Sequence, residues 1–313
     1  MSATSPVDTL RIGTRGSPLA RRQTDLVVEG LHESLPGLRV EIEIIRTLGD
    51  ETPATDLSQF EGQGIFVRSI EIALLERRID VAVHSFKDMP SKQPEGLTIA
   101  AFPQREDPRD ALVSRGGLSL RSLPPCATVG TGSPRRRSLI LSLRPDLDVR
   151  PLRGNVDTRL GRVAEGAVDA VVLAAAGLAR LGQSDRVAEL LDPSVFPPAV
   201  GQGILAIEAR ADDTRVAALV SQLDHFETHC CAVAERAVAE RVSAGCQTPI
   251  GAFARVVDGR LMLDAVLAAD DGSLLRAHGD ALPADGRALG ERVGTDLDAQ
   301  RSASRATVAR GGS

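Results

Sequence analysis

The sequence predicts an α/β protein: two lobes, each a mostly parallel sheet flanked by helices, followed by a small α+β domain. Three observations carry that expectation. Short apolar strand patterns alternate with amphipathic helix patterns over the first two-thirds of the chain. Another buried-strand pattern, residues 204–209, follows the second run of alternation, where the chain can cross back to the first lobe. From Phe226 a long helix gives way to strands separated by Asp258-Gly259 and Asp271-Gly272, both hairpin-turn signals.

Taken in order, residues 10–13 read as a strand, 18–35 as an amphipathic helix, 40–46 as an alternating strand, 66–78 as a helix and 80–84 as a short apolar strand. Residues 47–64 have no periodicity and contain Gly49, Pro53, Gly62 and Gly64, so they read as a lid or an irregular loop. After Pro103 come strands at 111–114 and 128–130, a helix at 136–143, a strand at 148–151, a helix at 156–165 and a strand at 170–174. The last part reads as a helix over 226–242 and strands at 253–257, 261–268 and 273–279. The expected domains are 7–103 with 204–222, 104–203, and 223–300. The small polar stretch 301–313 is expected to be disordered, and there is no internal repeat.

Composition narrows the function classes. The 313 residues are 42% hydrophobic and 25% charged, ordinary for a globular chain of two or three domains. With 2% aromatics and no Trp or Tyr, stacking is not the main mode of ligand recognition. A net charge of −5 argues against a nucleic-acid coat, so any anion site must be a local concentration of arginine. Of 37 cationic side chains only Lys87 and Lys92 are lysines, which makes Lys87 conspicuous. No secretory leader or bilayer-spanning run is visible, and Cys126, Cys230, Cys231 and Cys246 match neither zinc nor disulfide spacing. A reduced, cytoplasmic protein without a metal is expected.

Candidate chemistry falls at the carboxyl ends of the expected strands, where α/β folds place ligands. Arg15 and Ser17 follow the first strand, and Ser17 can cap the next helix above an anion site. Read alone, these are a solvated charge and a cap. Lys87 and Asp88 follow the 80–84 strand. Adjacent residues of a strand face opposite ways, so both reach one ligand only if the chain turns there, and Pro90 makes a turn plausible. His84 reads as structural. In Gly130-Thr131-Gly132-Ser133-Pro134-Arg135-Arg136-Arg137 a strand ends in a glycine loop before a capped helix, and Arg135 and Arg136, about 100° apart, can grip separate anions. Arg153 and Arg159 repeat the arrangement after the next strand, and Arg180 follows the one beyond. Cys246 stands on a loop between Gly245 and Gly251, which allow tight turns, so its thiol is presented for chemistry rather than packed for bulk. Two rivals of other classes are a solute-binding protein of the same two-lobe form and a transferase of phosphorylated ligands using the 130–137 cradle.

Six segments together resemble the porphobilinogen deaminase (hydroxymethylbilane synthase) family: residues 14–20 (TRGSPLA), 83–90 (VHSFKDMP), 105–110 (REDPRD), 152–156 (LRGNV), 198–203 (PAVGQG) and 245–251 (GCQTPIG). The resemblance implies two type II periplasmic-binding-protein-like lobes around a cleft and a third α+β domain carrying the cysteine. It implies stepwise condensation of four porphobilinogens with loss of ammonia, hydrolytic release of the linear tetrapyrrole, and a dipyrromethane cofactor held by a thioether to Cys246. Asp88 is then the catalytic carboxylate. Arg15, Ser17, Ser85, Lys87, Thr131, Ser133, Arg135, Arg136, Arg153, Arg159, Arg180 and Gln202 bind the carboxylates of cofactor or substrate, and Phe66 flanks the site. A monomer acting on a small molecule, with no nucleic-acid or membrane partner, is also implied. Gln63, where relatives often carry lysine, and Gly132 and Pro134 depart from the usual pattern, which bears on the lid more than on Asp88 or Cys246.

Overall fold

A computed structural model describes residues 9–45, 67–242, 248–269 and 271–311. In chain order its elements begin with β1 (Thr9–Thr14), α1 (Pro18–Ser34), β2 (Arg39–Ile44), α2 (Arg68–Leu75), β3 (Val81–Ser85), β4 (Leu97–Ala101), β5 (Asp110–Ser114) and β6 (Thr128–Gly130). They continue with α3 (Pro134–Leu143), β7 (Asp148–Arg150), α4 (Val156–Ala164), β8 (Ala170–Ala174), α5 (Ala175–Arg180), β9 (Glu189–Leu190) and β10 (Leu205–Arg210). The chain closes with α6 (Thr214–Val220), α7 (Phe226–Arg241), β11 (Ile250–Val257), β12 (Arg260–Ala268), β13 (Leu274–Ala281) and α8 (Gly286–Gly311). Two compact units result, Met1–Glu106 with Ile204–His229 and Asp107–Gly203 with Cys230–Ser313. The C-terminal sheet falls in the same unit as the second lobe.

The first unit holds a five-stranded sheet ordered β2-β1-β3-β10-β4, in which β1, β2 and β3 run parallel and β10 runs against both β3 and β4. The second unit repeats that order as β7-β6-β8-β5-β9, with β5 as the reversed strand. Side chains alternate between the faces of the first sheet. Val81, Val83, Leu205 and Ile207 pack on Val27, Leu31, Val216 and Val220, while Ala82 lies on the other face with Ile70, Leu74 and Ile79.

The third sheet, β11-β12-β13, is antiparallel and covered by α7 and α8. Its first hairpin turns at Asp258 (φ 48) and Gly259 (φ 73), as the Asp-Gly signal requires. Contact between the two helices depends on Gly290: a Cβ there would stand 2.2 Å from the Ala234 carbonyl oxygen and 2.6 Å from the Ala237 Cβ. Residues 301–311, expected to be disordered, continue α8. Extending a helix already formed costs little per residue, and Arg, Ala and Ser reach Gly311 without a proline. Ser304 also ties the segment down by donating to Asp271 (2.9 Å).

Two buried polar clusters organise the cores. In the second unit, Asp110 is fully buried and receives Arg135 Nη1 (2.8 Å), Arg136 Nη2 (2.7 Å) and Gln202 Nε2 (3.0 Å). Arg135 also donates to the Pro197 carbonyl, Arg136 to that of Val172 and Gln202 to that of Pro108. Burial alone would push the Asp110 carboxyl up; the charges of Arg135 and Arg136 outweigh it and hold the carboxyl well below the usual range. In the first unit, His84 Nε2 lies 3.0 Å from Glu208 Oε2, with both side chains buried. Glu71 of α2 is buried beside them. Burial first, and then the Glu208 charge, raise its pKa against the opposing charges of His84 and Arg68. Nearby, Arg210 donates to the carbonyls of Leu74 and Ile79 and to Asp80 and Asp213.

Asp110→Asn should lower stability by about 3–5 kcal/mol in denaturant titrations, because two buried guanidiniums lose their counter-charge; an unchanged midpoint would contradict the cluster's role. For Glu71, a raised folded-state pKa means that the folded state holds the proton longer. Its contribution is complete below the ordinary value of 4.5 and is lost as pH rises through the folded value. Glu71→Gln should therefore gain stability over the natural protein progressively from pH 4.5 upward, read as unfolding midpoints across a pH series. Parallel curves would refute it.

Candidate functional site

In the first unit the parallel neighbours β1 and β3 end side by side. Ser17 caps α1, its Oγ accepting from the Ala20 amide at 3.3 Å with Pro18 at the first helical position. Arg15 stands half-buried between strand and cap. After β3 the chain enters a 3-10 turn, Phe86–Asp88, so the turn that joint action of Lys87 and Asp88 requires is present. Residues three apart eclipse one another in such a turn. Phe86 and Met89 therefore both point inward, at 2% and 1% exposure, while Lys87 is half-buried and Asp88 exposed. Phe86 is held edge-on to Phe102, with ring centroids 5.0 Å apart, and its amide donates to the Ile204 carbonyl (3.0 Å). The Ser85 hydroxyl is engaged by Gln23.

In the second unit β7, β6 and β8 are adjacent and parallel, so their carboxyl ends also lie together. Thr131 is buried and its Oγ1 accepts from the Ser133 amide (3.2 Å), shaping the loop in which Ser133 caps α3. Arg153 is exposed after β7, Asn155 caps α4, and Arg159 sits half-buried in that helix's first turn. Arg180, after β8, donates to the Gly203 carbonyl at 2.7 Å.

Arg135 and Arg136, expected to grip separate anions, both donate to Asp110, and Gln202 is buried in the same cluster. Two guanidiniums on one carboxylate leave that cluster with net positive charge. Cys246, Phe66, Gln63 and the 47–64 stretch lie outside the described residues. Gly251 is not a turn residue. It lies within β11, where a Cβ would come 2.7 Å from the Pro197 carbonyl oxygen and 2.9 Å from that of Pro198.

Sequence reasoning missed Asp110, Gln23 and Glu235. Asp110 ends the REDPRD segment, and its local sign is an acid directly before the apolar Ala111-Leu112-Val113, the pattern of a buried pair. Glu235, fully buried, accepts from the amides of Gly201 (2.7 Å) and Ala254 (2.8 Å); its sign was an acid on the apolar side of a long helix.

Within each unit the strand ends thus present basic and hydroxyl groups with helix N-termini behind them, and in the first unit Asp88 adds a carboxylate. Donors of this kind suit carboxylate-bearing ligands, and so the acetate and propionate arms of a dipyrromethane. Among the described residues no group of His, Cys, Asp and Glu is placed to hold a metal ion, and no helix is long and apolar enough to cross a membrane.

Comparison with known proteins agrees with this chemistry. Residues 10–218 match the family model described as porphobilinogen deaminase, dipyrromethane cofactor binding domain, and residues 229–299 match porphobilinogen deaminase, C-terminal domain. The chain is 48% identical over 289 residues to a porphobilinogen deaminase of Syntrophobacter fumaroxidans, covering 92% of this chain and 94% of that protein. Among solved structures, a putative methionine-binding lipoprotein of Bacillus subtilis superposes with a TM-score of 0.44 at 12% identity, over 69% of this chain and 90% of that one. An arginine-specific periplasmic binding protein of Salmonella typhimurium gives 0.39 at 13% identity, over 68% and 89%. With both family models matched in order along the sequence and nearly half the residues shared with a full-length relative, this chain belongs to the porphobilinogen deaminase family.

Proposed function

We propose that the chain performs its family's reaction with the residues assembled above: four porphobilinogens are joined head to tail with loss of ammonia at each addition, and the linear hydroxymethylbilane is released by hydrolysis for tetrapyrrole biosynthesis. The observation that carries this reading is the placement of Lys87 and Asp88 on one 3-10 turn, with Arg15 and Ser17 at the end of the neighbouring parallel strand.

Arg15, Lys87, Arg153, Arg159 and Arg180, with Ser17, Thr131 and Ser133, hold substrate and cofactor carboxylates. Each charge-assisted bond contributes about 1.5–3 kcal/mol. Arg135 and Arg136 contribute the net positive charge they keep around Asp110. Asp88 stabilises the charge left on the substrate pyrrole when its aminomethyl C–N bond breaks and nitrogen departs as ammonia. The same carboxylate, facing the pyrrole N–H, assists proton transfer. Cys246 carries the dipyrromethane through a thioether, and that group, when bound, supplies the nucleophilic pyrrole carbon to which new rings are joined. Phe66 flanks the site. The reading carries with it a cytoplasmic monomer, on the strength of the family resemblance.

Intact-mass spectrometry of protein from pyrrole-producing cells should show one dipyrromethane increment, absent from Cys246→Ser. A bare natural protein that turns over normally would sink the proposal, and a bare protein without turnover would favour the solute-binding alternative. Asp88→Asn should melt like the natural protein yet lose at least about 10²-fold in kcat, as expected when an electrostatic partner of the transition state is removed. Near-normal kcat would remove the role given to Asp88.

A further inference from the structure

Gln23 lies in the second turn of α1 and is 4% exposed, a neutral amide close to Val27 on the helix face that packs against the first sheet. An amide so placed must satisfy N–H donors and an acceptor oxygen without water. Ser85 does both: Gln23 Nε2 donates to Ser85 Oγ at 2.8 Å, and that hydroxyl donates to Gln23 Oε1 at 3.2 Å. Ser85 is the last residue of β3 and directly precedes the turn that carries Lys87 and Asp88.

The other end of this support is also fixed. Thr14, fully buried at the end of β1, donates to the Ala20 carbonyl at 3.3 Å, and Thr24 donates to the same oxygen at 3.1 Å. The first turns of α1 are thereby tied to the strand end that bears Arg15 and Ser17. Gln23 extends that tie across to the neighbouring strand end.

We infer that Gln23 is a positioning residue for the reaction: through Ser85 it sets where Lys87 and Asp88 stand relative to Arg15 and Ser17. The inference rests on the charge-stabilising role given to Asp88 above. It also gives Ser85 a task inside the protein rather than on the ligand. Without the pair the 3-10 turn stays folded, because Phe86 remains anchored on Phe102 and the Ile204 carbonyl. Asp88 is then displaced from the developing charge, while the arginines that hold the substrate's carboxylates are untouched. A loss of that kind falls on kcat and spares KM.

The test uses the full chain carrying its cofactor, with porphobilinogen as substrate, in the variants Gln23→Met, Ser85→Ala, their double and Ser85→Thr. Activity is expressed per folded protein from calorimetric melting, so unfolding cannot imitate the effect. Each single variant should lose roughly 10- to 100-fold in kcat with KM little changed, the loss expected of a sub-ångström misplacement. The double variant should lose no more than the worse single, and Ser85→Thr, which keeps the hydroxyl, should recover most of what Ser85→Ala loses. Natural kcat in Gln23→Met, single losses that multiply in the double, or a loss confined to KM would each overturn the inference. Asp88→Asn, assayed alongside, separates the two ideas. If it loses turnover and Gln23→Met does not, only the positioning role fails; if it turns over normally, the role of Asp88 itself fails.

Discussion

One buried carboxylate, Asp110, decides how the second unit is built. It begins β5, the reversed strand inserted between β8 and β9, and its position is set by two arginines from α3 and one glutamine from the segment that leads back to the first unit. A carboxylate removed from water is costly unless its lone pairs are all engaged. Asp110 meets that condition with donors that are themselves committed elsewhere, to the carbonyls of Pro197, Val172 and Pro108. The group therefore fixes three separate backbone segments at once, which a hydrophobic contact of equal size could not orient. Arg135 and Arg136 do this work at the start of the helix that Ser133 caps, so the geometry of that strand end follows from the buried charge beneath it.

The rest of the site follows from strand direction. Parallel strands bring their carboxyl ends to one edge, and the helices that follow begin there with their positive ends. In both units the helix-starting residues Ser17, Ser133 and Asn155 occupy an amide that an anion would otherwise take. On the proposed reading, anion binding at these edges falls mainly to side-chain cations placed just before or after each cap, which accounts for arginine recurring at successive strand ends instead of a single glycine-rich cradle. It also explains how a chain of net charge −5 can serve an acidic ligand: the positive charge is local and ordered by the sheet.

Local signals carried most of this in the sequence. Strands such as 128–130 and 170–174 stand where their apolar patterns put them, and both Asp-Gly turns lie between the strands they were expected to join. What was not legible depended on partners distant in sequence. The identical strand order of the two lobes left no internal repeat, because the order is set by where β10 and β5 insert and not by residue identity. Residues 301–311 look like a polar tail until α8 has a partner, and that partner is α7, accepted at close range by Gly290. Arg135 and Arg136 read correctly as helix-start arginines, but whether they face a ligand or a buried acid depended on Asp110, some 25 residues earlier. Gln23 had no local sign at all, since a glutamine on a helix is ordinarily solvated.

Cys246 lies in residues 243–247, outside the described residues, and the described residues on either side of that stretch have defined partners. On one side α7 ends at Arg241, whose Nε donates to Thr295 (2.9 Å) on α8, and Arg301 of α8 donates to the Val242 carbonyl. On the other, β11 starts hard against the 197–198 carbonyls: Ala252 donates to Pro198 (3.0 Å), and only glycine fits at 251. The Pro197 carbonyl is in turn gripped by Arg135. The residues that flank this stretch are therefore held by the C-terminal helix on one side and by the Asp110 cluster on the other. Removing α8 from Arg301 onward would release the Val242 contact while leaving the Arg241–Thr295 bond and the β11 side in place.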